Sequence, residues 1–523
     1  MALVLGGWLD SIGLPRLRVF HPMKRIFKSA LAVLNGLVFA GWLIAAPTVF
    51  AAVALPAVFS DHAVLQRDRP LPVWGTAAPD ETIEVSLGDL RAKTVADSTG
   101  KWRVLLPASS ANPAPSDLIV RGSNVVTIHD LLIGDVWLCS GQSNMEKPIG
   151  EKRDQKPVFH AEEELRAGDH PLIRLLKIPK VRASVPAADV SARWIACSPE
   201  SLEQTKFSAT GYFFGRKIQE EIKVPIGLID STWGGTRIEL WTPPGAFAAF
   251  PSLAELATAA RTEGAKAEGA VPSTLYYGMV QPLAPFALRG VLWYQGESNL
   301  IDVNDSARYP DKMEALIRGW REVWQEADLP FYYVQIAPHF YHVIRRQVVI
   351  SPESEAEFWE AQVAALRIPH TGMAVTTDLV DDLFDIHPRN KQDVGLRLAL
   401  LALARTYGRA DVIDSGPVFR RAAVEGNRLK LFFNYAGTGL ASRDSKPLSW
   451  FTIAGPDGQF FPALVEIEGD HLFVSSPHVA HPAKVRFAWD EAAQPNFVNS
   501  AGLPAQPFRT DSPFPIVAVK PRP

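Results

Sequence analysis

The chain has 523 residues, is 47% hydrophobic and carries 53 basic against 56 acidic side chains. That length supports a large core and two or three domains, and the near balance of charge, with no long basic run, excludes nucleic acid as a partner. Two cysteines, Cys139 and Cys197, exclude a disulfide scaffold and a cysteine-based zinc site; they are either bonded to each other or two buried thiols.

In chain order, the first feature is a leader. From Met23 a basic MKRIFK stretch precedes an apolar run over 30–46 and small residues around Ala51. This reads as a secretory signal peptide cut after Ala51, with an uncleaved anchor helix as the alternative. Residues 1–51 are therefore expected to be a leader. The mature protein is expected to be exported, periplasmic or extracellular, with no membrane partner. Residues 52–130 alternate short β-type runs (LPVWGTA, TIEVSLG, KWRVLLP, DLIVRGS) with turn residues.

From 131 to 408 strands and helices take turns. LLIGDVWLCS, VPIGLID, GVLWYQG, FYYVQIA and GMAVTTD read as strands, with helices expected at 210–222, 309–324, 353–366 and 390–407. That alternation predicts a parallel, doubly wound α/β sheet. Residues 409–523 return to β texture in RLKLFFNY, LSWFTIAG, LFVSSP and KVRFAW.

Ligands of an open α/β sheet bind at the carboxyl ends of its strands, so the residues after each strand are the ones to inspect. They are Gly141-Gln142-Ser143-Asn144, then Trp233-Gly234-Gly235-Thr236-Arg237, then Gln295-Gly296-Glu297-Ser298-Asn299, and finally Asp385-Ile386-His387. Acyl transfer needs a serine, a histidine to take its proton, a carboxylate to orient that histidine, and backbone amides for the oxyanion. Met145 stands where the G-x-S-x-G elbow requires glycine, so Ser143 is not on an α/β-hydrolase elbow. His339 and His342 compete with His387 as the base. Trp233, Arg237, Glu239 and Trp241 flank the glycine pair, where aromatic faces suit sugar rings and Arg237 suits a carboxylate. Core tryptophans and an ion-paired arginine are the plainer reading of the same residues.

These blocks resemble those of the sialate O-acetylesterase family, within the SGNH (GDSL-like) hydrolases. FSDHAVLQRDRPLPVWG, GDVWLCSGQSNM, STWGGTRIELWTP, GVLWYQGESN and DIHPRNKQDVGLRLA each look like a family hallmark, and the likeness runs from about residue 54 onward. The resemblance implies a flavodoxin-like SGNH domain over 131–408, a three-layer α/β/α sandwich, flanked by β-sandwich-type regions at 52–130 and 409–523. It implies Ser143 as nucleophile, His387 as base and Asp385 as orienting acid, with Asp382 or Glu297 as alternatives. The family's usual aspartate precedes histidine by three residues, where this chain has Phe384. The implied oxyanion hole combines the Ser143 and Gly235 amides with Gln295, or with Asn299 in its place. Trp233, Arg237, Glu297 and Asn299 would contact substrate. The implied activity is a cofactor-free, metal-free acetylesterase acting on an acetylated carbohydrate. Sialic acid is the expected carrier; acetylated xylan or xyloglucan, and an inactive glycan-binding protein, are the alternatives.

Overall fold

The computed structural model describes residues 52–344 and 348–515. The leader, with its expected cleavage site, lies outside the described residues. Among those residues no helix is long and apolar enough to cross a membrane.

The centre is a mixed sheet that is mostly parallel. Its strands run in the order Thr371–Ala374, Phe331–Val334, Gly290–Tyr294, Val125–Gly141, Ile226–Thr232, His170–Lys177 and Trp194–Cys197. All neighbours pair in parallel except the last, an antiparallel edge. Strand order reverses at Val125–Gly141, because the next parallel strands lie to one side of it and the later ones to the other. The crevice beyond the carboxyl ends at such a reversal is where α/β sheets bind ligands.

Both faces are covered, which is why the strands read as unbroken apolar runs. Val136 and Leu138 face one core together with Trp293, Leu316 and Trp320, whereas Trp137 and Cys139 face another with Phe214, Tyr332 and Leu398. Helices Tyr309–Trp324 and Ser354–Ala364 supply the first layer, and Ala209–Ile222 and Lys391–Arg405 the second. The expected strands and helices are present with ends shifted by a few residues. Two strands of this sheet were not foreseen: His170–Lys177, which has polar residues at both ends, and the edge strand Trp194–Cys197, which is four residues long.

The Val125–Gly141 strand is 17 residues long and serves two regions. Its first part pairs with Asn112–Arg121 in the N-terminal β region, and its last part pairs in the central sheet. The change of texture at 131 thus falls inside one continuous strand. In the N-terminal region Lys101–Leu106 alternates exposed and buried residues, and its buried Trp102, Val104 and Leu106 follow the period of two expected of a half-buried strand. The C-terminal residues form two four-stranded antiparallel sheets and a two-stranded one. Phe419, Phe433, Phe451, Phe487, Phe497 and Phe508 pack ring against ring as their core.

Candidate active site

Ser143 begins a four-residue helical turn immediately after the strand that ends at Gly141. Gly141 has φ +131°, and a Cβ there would sit 2.2 Å from the Tyr294 carbonyl oxygen. Only glycine lets the strand bend so tightly against its neighbour. As the first helical residue, Ser143 carries an amide that the helix itself leaves unpaired. Gly234 packs directly on the serine: a Cβ there would lie 3.0 Å from the Ser143 Cβ.

The amide of Gly234 donates to Glu146 Oε2 at 2.6 Å, which fixes the glycine turn to the Ser143 helix. Burial pushes the Glu146 carboxyl up, but hydrogen bonds from Lys152 and Lys180 outweigh it and hold the group at about 2. Gly235 has φ +70° and open space where a Cβ would stand. Among the described residues its amide has no hydrogen-bond partner. Two unpaired amides, of Ser143 and Gly235, therefore stand on adjoining turns.

Asn144 joins the serine to the histidine loop. Its Nδ2 donates to the Ile386 carbonyl at 3.0 Å and to Glu297 Oε1 at 2.5 Å, while its Oδ1 accepts from Lys391 Nζ at 2.8 Å. His387 follows Ile386. Asp385 Oδ1 accepts from the His387 amide at 2.9 Å and lies 3.8 Å from its Nδ1. Asn390 then caps the helix at 391–405 by accepting from the Asp393 amide at 3.0 Å, which ends the loop. Burial, then the positive charges of Lys391, Lys147 and Lys152, drive His387 from its ordinary 6.5 down to about 3. It is thus a neutral imidazole at neutral pH, ready to accept a proton. Among the described residues no hydrogen bond joins Ser143 to His387, and in ligand-free sites a bond between nucleophile and base is often long.

The three acids proposed for the triad occupy distinct places. Asp385 is beside His387. Asp382 is on the surface, paired with Lys156 at 3.0 Å and accepting from the Phe384 amide. Glu297 is fully buried; burial raises its carboxyl above the usual range, and its Oε1 accepts from Asn144. Of the rival histidines, His339 is buried against Tyr341 and beside the Leu383 backbone, and His342 pairs with Glu491.

Other expected contacts are corrected by burial. Gln295 is fully buried, and its Nε2 donates to Gln142 Oε1 (3.1 Å), Thr236 O (3.2 Å) and Asn299 Oδ1 (2.8 Å). Both amide hydrogens are used inside the protein, so Gln295 braces the site from behind. Asn299 is equally enclosed, accepting from the Ile238 amide and donating to Glu239. Arg237 donates to the Glu268 carbonyl at 2.7 Å and lies 3.7 Å from Glu239, so its guanidinium is held inside. Trp241 is a core residue. Trp233 remains half-buried, with Lys180 and Arg182 over its ring. Cys139 and Cys197 are both free and buried.

Glu239, Glu268 and Asp305 converge closely enough to suggest a metal site. Lys312 occupies their centre: its fully buried Nζ contacts Glu239 and Asp305, and Glu268 at 2.8 Å. The ammonium supplies the positive charge that a metal would bring. Burial pulls Lys312 down, yet the carboxylates of Glu239, Asp305 and Glu268 leave it raised overall. The sequence reading passed over Asn144, Glu146, Lys312 and Lys391. Asn144 and Lys391 do stand in the serine and histidine blocks, where their proximity to the reactive residues was the available signal.

Comparison with known proteins bears on what this arrangement does. Residues 133–403 match the family model described as carbohydrate esterase, sialic acid-specific acetylesterase. The chain is 29% identical to a human sialate O-acetylesterase and 30% identical to one from Pongo abelii, in each case over 83% of this chain and 88% of the relative. It superposes on the crystal structure of a carbohydrate acetylesterase from Xanthomonas citri with a TM-score of 0.79 and 37% identity, covering 88% of this chain and 100% of that one.

Proposed function

Because the chain belongs to the sialic acid-specific acetylesterase family of carbohydrate esterases, we propose that it releases acetate from O-acetylated sialic acids through an acetyl-Ser143 intermediate. The enzyme is an esterase of acetylated carbohydrates; the sialic acid carrier and the residue roles are the further reading. His387 accepts the Ser143 proton as Oγ attacks the acetyl carbonyl, and Asp385 steadies the imidazolium that results. The amides of Ser143 and Gly235 receive the oxyanion, and His387 gives its proton to the departing sugar oxygen. Water, deprotonated by the same histidine, then attacks the acetyl carbon, and acetate leaves as His387 returns the proton to Ser143 Oγ.

The observation that carries this reading is the Asn144 bridge, which ties the Ser143 turn to the carbonyl preceding His387 at 3.0 Å. Strand order and a helical layer on each face support a flavodoxin-like SGNH domain, and the paired C-terminal sheets around a phenylalanine core support a β-sandwich. The basic and apolar pattern at 23–51 supports export. Acetate release from an O-acetylated sialic acid tests the central claim. Ser143→Ala should lose about 10⁴-fold or more in kcat/KM together with labelling by a fluorophosphonate, and His387→Ala about 10³-fold or more. Retained activity in Ser143→Ala would overturn the assignment.

A further inference from the structure

The expected carboxylate-binding arginine, Arg237, is held inside the protein, yet another guanidinium stands at the same cleft. Arg182 is exposed, with its Cζ 5.0 Å from the centre of the Trp233 ring. Among the described residues no acid pairs with it. Its neighbour Lys180 differs, being committed to Glu146 at 2.6 Å. A cleft of about 530 Å³ is bordered by Arg182, Gly235, Arg237, Lys266, Thr274 and Asp302. Gly235, whose amide is unpaired, thus shares this cleft with Arg182.

The backbone around Arg182 is fixed rather than loose. The Ala183 amide donates to the Thr274 carbonyl at 3.0 Å. The Val181 carbonyl oxygen lies 2.2 Å from where a Cβ of Gly278 would be, so only a glycine admits this strap. A guanidinium over an indole face keeps its edge N–H groups free for a planar anion, and the ring holds its orientation. Trp233 and Gly235 are two residues apart, at most about 7 Å along the chain. Arg182 and Gly235 border one cleft, so a single ligand seated there faces both the guanidinium and the unpaired amide.

We propose that Arg182, set on Trp233, is a specificity-determining residue that binds the carboxylate of an acidic sugar while the acetyl group lies at Ser143. This rests on the acidic-sugar reading above and adds the residue that selects it. Neutral acetylated sugars lack the anion and gain nothing from this contact.

The test compares an O-acetylated sialic acid, the same sugar with its carboxyl group capped as an amide, and p-nitrophenyl acetate. For the wild type, kcat/KM should favour the free acid over the amide by about 10- to 100-fold. Arg182→Ala should erase that preference by lowering the value for the acid alone, leaving p-nitrophenyl acetate within about twofold; Arg182→Lys should recover part of it. Equal losses on acid and amide, or no loss on either, would overturn the role of Arg182 while leaving sialate deacetylation standing. A wild type that hydrolyses p-nitrophenyl acetate but neither sialic acid derivative would overturn the acidic-sugar reading, and the carboxylate site with it.

Discussion

Two loops flank Ser143, and they differ in how deeply they are held. The glycine loop at 233–239 is anchored from beneath. Glu239 meets the buried Lys312, Asn299 accepts from the Ile238 amide, and Glu146 accepts from the Gly234 amide. The histidine loop at 379–390 lies nearer the surface, and bonds within the loop are joined by ties to neighbouring segments such as Asn144 to the Ile386 carbonyl and the Phe340 amide to the Leu383 carbonyl. Asp385 accepts from the His387 amide, Asn390 caps the next helix, and Phe384 is 73% exposed. The contrast matches the tasks. Amides that receive an oxyanion must be aimed before charge develops, whereas the base must reach substrate, leaving group and water in turn.

The largest effect should come from removing the anchor of the glycine loop. Lys312→Met would leave Glu239, Glu268 and Asp305 buried without their cation. Denaturant unfolding should show a loss of about 3–5 kcal/mol, and kcat should fall with it. Unchanged stability in this variant would break the comparison, since the glycine loop would then not depend on its buried charge.

On the histidine loop a smaller, more local effect is expected. Asp385→Asn should lower kcat by about 10- to 10⁴-fold with little change in unfolding midpoint, while Asp382→Asn, whose side chain meets Lys156 at the surface, should stay within about twofold. A larger loss in Asp382→Asn than in Asp385→Asn would move the orienting acid.

The smallest effect is a displaced pH profile. As the proposed base His387 must be neutral to act, and its value near 3 lies below the ordinary 6.5. The acid limb of kcat/KM should therefore fall below the usual histidine range. The same displacement makes a stability contribution that is complete above 6.5 and is lost as pH falls towards 3. Lys391 is one of the positive charges depressing His387, and Lys391→Met should move the acid limb to higher pH. A limb that stays in place in Lys391→Met would show that Lys391 does not depress the histidine.

Much of the site was legible because its blocks sit at strand ends, and a strand end is a local pattern. Ser143 after VWLCSG, the glycine pair after VPIGLID and His387 after GMAVTTD all lie where such reading places them. Less legible was which polar side chains turn inward. Arg237 and Gln295 belong to the same motifs as Gly235 and Glu297, and nothing in their spacing separates a side chain facing substrate from one bracing the loop. The strand His170–Lys177 was hidden because its first residues are polar or exposed and only 173–176 are buried.

By itself the sequence determined the order of strands and helices, the family, and the residue types that acyl transfer requires, since periodicity and motif are properties of neighbouring residues. Only the tertiary structure decided which acid stands beside His387 and which arginine stays free. It also decided that Lys312 fills the Glu239–Glu268–Asp305 cluster. Those partners come from segments 44 and 73 residues away along the chain. Their pairing depends on burial, which makes an uncompensated charge too costly to leave unpaired.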